Sequence, residues 1–230
     1  MGSQIPSTAR LEIKCIGRES QYDVLFAWLR LHPTGFVVPF PDRWVNNVYF
    51  DSCNYSAFAA NLSGASARTK VRYRWYGVSM GPEAGALEVK CKRNARSWKL
   101  TFPVPKSSYK PGSSWRAIRQ ELLAHLPPEG KVWLDANPFT VLINRYHRKY
   151  FVSSDSKVRV TIDTQIAVWD QRFKPYPNLN HSARLPRIVV VEFKFAPEDQ
   201  KMVSKIIQGF PLRVSKHSKY ISGVQAISPV

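Results

Sequence analysis

The sequence predicts an α+β fold: an eight-stranded antiparallel β-barrel, a tunnel with a basic lumen and flanking helices. Three observations carry this. The run Lys70-Val71-Arg72-Tyr73-Arg74-Trp75-Tyr76 alternates charge with oil. Successive side chains of a strand point to opposite faces, so Lys70, Arg72 and Arg74 share one face and Val71, Tyr73 and Trp75 the other. The pattern recurs in four other places. Finally, 34 Lys and Arg stand against 16 Asp and Glu, a net charge of +18, in a chain that is 44% hydrophobic. One such strand is an ordinary half-buried strand with its charges in water. Several together point to a closed sheet whose cations face inward and whose outer face is covered.

Residues 10–16 alternate Arg10, Glu12 and Lys14 against Leu11, Ile13 and Cys15, which reads as a strand. A helix follows over 20–31, with Tyr22, Leu25, Phe26 and Leu29 at helical spacing, Ser20 as cap and Pro33 as stop. Residues 44–50 form a strand, and Asn54 opens a short helix to Leu62, closed by Gly64. The strand at 70–77 turns through Gly81, Pro82 and Gly85 and pairs with 86–92, where Glu88, Lys90 and Lys92 share a face. Residues 98–104 are a further strand, carrying Lys99; 107–112 are loop. A helix over 114–126 ends at Pro127-Pro128. Residues 139–152 place Tyr146, Arg148 and Tyr150 on one strand face. Residues 157–163 alternate Lys157, Arg159, Thr161 and Asp163 against Val158, Val160 and Ile162. A proline-containing surface loop spans 170–186. Residues 188–195 form a strand with Glu192 and Lys194 on one face, and a helix runs from Pro197 to Gln208. Lys216 and Lys219, three apart, are expected on one face of a helical turn. No linker or repeat divides the chain, so one domain is expected over residues 1–230, its core at 10–227.

The charge balance calls for an anionic partner. Cys15, Cys53 and Cys91 are odd in number and lack CxxC spacing, which suits a reducing compartment and excludes a disulfide framework. The first ten residues have no apolar core, and no run approaches the roughly 20 apolar residues of a membrane span. A cytoplasmic protein is expected. GxSxG, GxxxxGK[ST], GxGxxG and HExxH motifs are absent. The five histidines are scattered; His217 stands out for its basic neighbours. Any catalysis must then be electrostatic. Glu12, Glu88, Asp163 and Glu192 each share a strand face with Lys or Arg. They serve either as cross-strand ion-pair partners or as ligands of Mg²⁺ or Mn²⁺, which takes one or two carboxylates plus water and phosphate oxygens. Nucleic acid is not expected as a partner. Tyr73 and Trp75 lie opposite Arg72 and Arg74, whereas base stacking wants rings and cations on one side.

Seven runs occur in an order that resembles VTC domains. They are Val48-Tyr49-Phe50-Asp51, Arg72-Tyr73-Arg74-Trp75-Tyr76-Gly77, Leu87-Glu88-Val89-Lys90, Tyr146-His147-Arg148, Val158-Arg159-Val160-Thr161-Ile162-Asp163-Thr164, Val191-Glu192-Phe193-Lys194 and Ser215-Lys216-His217-Ser218-Lys219-Tyr220-Ile221-Ser222-Gly223. VTC domains are the catalytic domains of the vacuolar transporter chaperone polyphosphate polymerase and its bacterial stand-alone relatives, within the triphosphate tunnel metalloenzymes. The resemblance implies transfer of the γ-phosphate of ATP to pyrophosphate or polyphosphate, with Mn²⁺ or Mg²⁺. It implies a phosphate-binding lumen of Lys14, Arg72, Arg74, Lys90, Lys99, Arg148 and Arg159, all but Lys99 counted as catalytic. It further implies a terminal phosphate-contacting pair, Lys216 and Lys219, and Glu192 as metal ligand with Glu12 assisting. The alternatives are an inactive polyphosphate-binding module and a tunnel triphosphatase acting on nucleotide or inorganic triphosphate. Where the wider superfamily has ExExK, this chain has Arg10-x-Glu12-x-Lys14, which favours the polymerase branch over a two-metal hydrolase. The 230 residues contain neither the regulatory SPX domain nor the membrane segments of the eukaryotic complex, so a stand-alone domain is expected. Arg74→Glu is expected to weaken phosphate binding and hardly to affect folding, since a ring of cations repels itself.

Overall fold

The protein is described here by a computed structural model covering residues 5–105 and 109–228. Eight long strands make one antiparallel sheet: β1 (Leu11–Arg18), β2 (Arg43–Asp51), β3 (Ala67–Tyr76), β4 (Gly85–Arg93), β5 (Arg96–Val104), β6 (Phe139–Val152), β7 (Arg159–Asp170) and β9 (Ile188–Phe195). A two-residue strand, β8 (Ser182–Ala183), pairs with β7. The order across the sheet is β1-β9-β7-β6-β2-β3-β4-β5. Its two edges meet where Arg10 and Ser97 exchange both backbone hydrogen bonds at 2.9 Å. The sheet thus curls into the expected tunnel, with Arg72 and Glu88 on the inside and Val71, Tyr73 and Trp75 on the outside.

Helices cover the oily outer face. α1 (Tyr22–Leu31) and α5 (Gln200–Gln208) set Leu25, Leu29, Val203 and Ile206 against Val160, Val191 and Phe193 of β7 and β9. α3 (Trp115–His125) and α4 (Pro128–Asp135) set Trp115, Ile118, Leu122 and Leu134 against Val71, Tyr73, Trp75, Leu87 and Val89 of β3 and β4. A fully buried aliphatic or aromatic side chain contributes roughly 1.5–3 kcal/mol, whereas an exposed ion pair gives about 0–1 kcal/mol. Closure of the barrel is therefore driven from its outside, which leaves the lumen free to hold groups that repel one another. At Gly85 a Cβ would lie 2.0 Å from the Arg74 carbonyl oxygen, so the β3–β4 pairing requires glycine there.

Two helices were not expected from the sequence. Pro127-Pro128 does end α3, but Pro128 then starts α4, since a missing N–H and a fixed φ suit the first helical turn. The second is α6 (Lys219–Ile227), which packs Tyr220 and Val224 on Tyr49, Val141 and Leu142 of β2 and β6, beside α2 (Ser56–Leu62). Asp51 holds this corner together. Its carboxylate accepts the Ala57 and Phe58 N–H groups at 2.9 and 3.1 Å and the Tyr220 hydroxyl at 2.6 Å. A Cβ on Gly223 would come within 2.8 Å of Leu142, so α6 can approach the sheet this closely only with glycine.

Smaller corrections have local causes. Ser20 does not cap α1; residues 19–21 form a 3₁₀ turn in which the Gln21 side chain accepts the Arg18 N–H at 2.8 Å. α2 begins at Ser56, after left-handed Tyr55, and not at Asn54. The expected loop at 107–112 lies partly outside the described residues; Tyr109 to Gly112 form no helix or strand. Lys216 does not share a helical turn with Lys219. Residues 214–215 run along β1, with the Ser215 N–H on the Lys14 carbonyl at 2.8 Å. Ser218 is extended, and α6 starts only at Lys219. No helix among the described residues is long and apolar enough to cross a membrane.

Candidate active site

Inward-facing positions of the strands bring four carboxylates and a larger number of cations together. Glu88 of β4 lies opposite Arg72 of β3. It accepts Arg72 Nε at 2.8 Å and Nη2 at 2.7 Å, and also takes Lys99 Nζ, while Arg74 Nε stands 3.6 Å away. Burial alone would raise the Glu88 pKa; Arg72, Arg74 and Lys99 override it and hold the carboxyl well below its usual range. Arg74 is itself buried, donating Nε to Asn47 Oδ1 at 2.8 Å and Nη2 to the Tyr146 hydroxyl at 3.0 Å.

Asp163 forms the second cluster. Arg148 clamps it with two parallel bonds of 2.6 and 2.7 Å, and Lys219 Nζ lies 2.5 Å from Oδ2. Burial opposes the charged form here too, but Arg148 and Lys219 bring the carboxyl down to about 2. A register shift in the β6–β7 ladder, with Gln165 in left-handed conformation at φ 51°, follows Asp163. Such a bulge exchanges the two faces of a strand. Plain alternation with Thr161 directs Asp163 to the tunnel, opposite Arg148, and beyond the bulge Val168 packs with α6.

Glu12 and Glu192 make the third cluster, and it differs in kind. They lie diagonally on β1 and β9, Glu12 opposite Lys194 and Glu192 opposite Lys14, and the Glu192 charge opposes ionisation of Glu12. Their partners are lysines. Lys90 Nζ is 2.9 Å from both oxygens of Glu12, Lys194 is 2.7 Å from Glu192, and Lys14 lies 3.2 Å from Glu12 and 3.6 Å from Glu192. Burial disfavours the Lys14 ammonium, but Glu192 and Glu12 outweigh it and raise its pKa. At Lys90 burial wins, helped by Lys14 and Lys194, and the pKa is pushed down to about 8 despite Glu12.

The three clusters surround one cavity, and of their carboxylates Glu192 lines it. Of the nine cations expected from the sequence, Lys14, Arg72, Arg74, Lys90, Arg148 and Lys219 line it. Lys99 reaches in from a partly exposed position to Glu88. Arg159 and Lys216 do not join the group: both are exposed. Arg159 sits one step out on β7, in register with Lys194. The extended backbone before α6 separates Lys216 from Lys219. The cavity also includes groups that the sequence reading left out of the site. Lys70 donates to Ser218 Oγ at 2.8 Å, and Lys194 and His217 border the same space. Lys70 and Lys194 obey the alternation that marked Arg72 and Glu192, so that signal could have found them. His217 stands out in the sequence only for its basic neighbours; in the fold its carbonyl accepts Lys14 Nζ at 3.1 Å, and burial among Lys219, Lys14 and Lys70 lowers the imidazole to about 3.

The donor set at the third cluster suits a hard divalent cation. Such ions accept one or two carboxylates and complete their shell with water and phosphate oxygens. Glu12 and Glu192 supply two adjacent carboxylates, and among the described residues no cluster of three or more His, Cys, Asp or Glu side chains is placed to hold a metal. Glu88 and Asp163 are less suited, since guanidinium groups already occupy their oxygens.

The curled sheet with a charged lumen defines a tunnel fold, and two solved structures superpose on it over most of their length. A candidate adenylate cyclase from Vibrio parahaemolyticus superposes with a TM-score of 0.51 at 11% identity, covering 93% of this chain and 98% of that one. A chain of the Schizosaccharomyces pombe Mediator head module gives 0.50 at 8% identity, covering 90% and 98%. A Hippeastrum protein described as a candidate adenylyl cyclase with dominant triphosphatase activity gives 0.49 at 12%, covering 92% and 93%. No curated protein matches by sequence. The profile of the VTC domain matches residues 10–228, and the chain belongs to that family.

Proposed function

We propose that the protein is a divalent-metal-dependent phosphotransferase that moves the γ-phosphate of ATP onto a pyrophosphate or polyphosphate chain held in the tunnel. The observation that carries this is the third cluster: two neighbouring buried carboxylates balanced by lysines, with Glu192 lining a cavity walled by Arg72, Arg74 and Arg148. Guanidinium groups bind phosphate oxygens bidentately and fix geometry; lysines act as point charges. Arg72, Arg74 and Arg148 accordingly align donor and acceptor phosphates, while Lys14, Lys90, Lys194 and Lys219 offset charge as it shifts between them. Glu12 and Glu192 would hold Mn²⁺ or Mg²⁺, which would supply positive charge to offset that of the phosphates. No side chain need form a covalent intermediate. Lys99, Arg159 and Lys216 lie toward the outside, where they suit an acceptor longer than the cavity. The three cysteines are free thiols, which suits the reducing cytoplasm.

The test is incubation with ATP and Mn²⁺, with polyphosphate resolved on a gel. Polymer from wild type and none from Glu192→Ala is the expected result. Equal polymer from both would overturn the assignment of Glu192. The adjacency of Glu12 and Glu192 also favours a second reading, a tunnel triphosphatase in which water replaces the acceptor. Orthophosphate release without polymer selects it. Tight polyphosphate binding without turnover would make the domain a binding module.

A further inference from the structure

A second cavity, of about 410 Å³, shares two wall residues, His217 and Lys219, with the tunnel. Its chemistry is the reverse of the tunnel's. Ile166 of β7, Leu185 before β9, Ile188 of β9 and Ala226 of α6 give it mostly apolar walls, to which Gln225 adds an amide, Ser222 a hydroxyl and Arg184 a guanidinium. A concave, apolar space of this size with a few convergent polar groups is the usual form of a small-molecule site. The residues common to both walls stand at the start of α6. There Ser218 accepts the Ile221 N–H, Lys219 reaches Asp163, and the buried His217 Nε2 has no hydrogen-bond partner.

A ligand that fills both spaces must join a polyanion to an uncharged body with hydrogen-bonding edges. An inorganic phosphate chain would leave the apolar walls unused, and a hydrocarbon would leave the amide and the imidazole unpaired. We propose that this second cavity is the nucleoside subsite of the enzyme: it takes the base and sugar of a nucleoside triphosphate whose phosphates lie in the tunnel. Leu185, Ile188 and Ile166 pack on the base, the Gln225 amide offers both a donor and an acceptor to its edge, and His217 stands where sugar passes to phosphate. Burial among three lysines keeps that imidazole neutral, with its pKa lowered to about 3, so it adds hydrogen bonding at the junction without further charge. Of the other aromatic rings, Tyr49 and Tyr146 line the tunnel but are held by Arg72 and Arg74, and Phe40, Tyr76 and Tyr150 lie apart from it. The last three are turned onto the Arg43 guanidinium at 4.8–5.7 Å and border neither cavity.

The proposal rests on the phosphotransferase reading only in placing the phosphates in the tunnel. Calorimetric titration with ATP and with inorganic tripolyphosphate separates the two. Leu185→Trp fills the cavity and is expected to weaken ATP binding about tenfold or more, with tripolyphosphate affinity unchanged. Gln225→Ala removes an exposed amide from α6 without disturbing the core. It should weaken ATP about two- to tenfold, the range of one neutral hydrogen bond, and again spare tripolyphosphate. If both variants leave ATP affinity unchanged, or lower both ligands equally, the nucleoside subsite is refuted while the tunnel stands. If wild type binds neither probe, both readings fail.

Discussion

Two kinds of carboxylate face the same tunnel. Glu88 and Asp163 are gripped by guanidinium groups in short, fixed bonds; Glu12 and Glu192 are balanced by lysines alone. An arginine fork matches a carboxylate rigidly, whereas an ammonium on a four-carbon stem can turn to another acceptor. The first two acids therefore belong to the frame that positions Arg72, Arg74 and Arg148. The second two are held in a state that a cation and a phosphate chain can displace.

The largest expected effects come from breaking the frame. Asp163→Asn leaves Arg148 and Lys219 buried without their counter-ion, and Glu88→Gln does the same to Arg72. Each should cost about 3–5 kcal/mol of stability, read as a fall in denaturation midpoint. Glu192→Gln sits on the other side of the comparison. It should lower metal-dependent turnover about a hundredfold or more, while the melting temperature moves little, because Glu12 still faces Lys14 and Lys90. A loss of stability at Glu192 equal to that at Glu88 would erase the distinction.

The tunnel itself was legible because alternation is local: Lys70 to Tyr76 shows its two faces without any knowledge of the partner strand. What alternation cannot supply is what each inward cation touches. Arg74 was expected to tolerate reversal to Glu. Its bonds to Asn47 and the Tyr146 hydroxyl, from β2 and β6, make it part of the frame, so Arg74→Glu would bury an acid 3.6 Å from the place where Glu88 now faces a guanidinium. Loss of fold is now the expected result. Arg159 and Lys216 fit the family pattern yet lie exposed, because strand tilt and the extended stretch before α6 are properties of the closed barrel and not of spacing. The pairing of Glu12 with Glu192 spans most of the chain, and only the β1–β9 register brings it about.

A smaller effect tests the frame through pH. Asp163 titrates near 2 in the fold against an ordinary value of 3.8. Its depressed pKa contributes about 2 kcal/mol that is fully present above pH 4 and is lost as pH falls toward 2. Wild type should lose its advantage over Asp163→Asn across that window, and equilibrium unfolding curves measured from pH 5 to pH 2 would show the two converging. A constant difference would mean that the Arg148 clamp is not responsible.

Lys70 offers the finest division between frame and site. Its ammonium is buried, and burial, then the nearby Lys90 and Lys14, hold its pKa well below the usual lysine range. The acceptor it has is the neutral hydroxyl of Ser218, in contrast to the carboxylates that serve Lys14 and Lys90. A charge held on such terms opposes folding and has a reason to be there only if an anion enters. Lys70→Met keeps the length of the side chain and removes the charge. It should stabilise the empty protein by about 1 kcal/mol, raising the melting temperature by about 2–4 °C, and weaken tripolyphosphate binding about tenfold, as expected for one charge-assisted hydrogen bond. The two shifts must have opposite signs. If Lys70→Met instead lowers the melting temperature and leaves tripolyphosphate binding intact, Lys70 belongs with Arg72 and Arg148 as a brace, tying β3 to the start of α6 through Ser218.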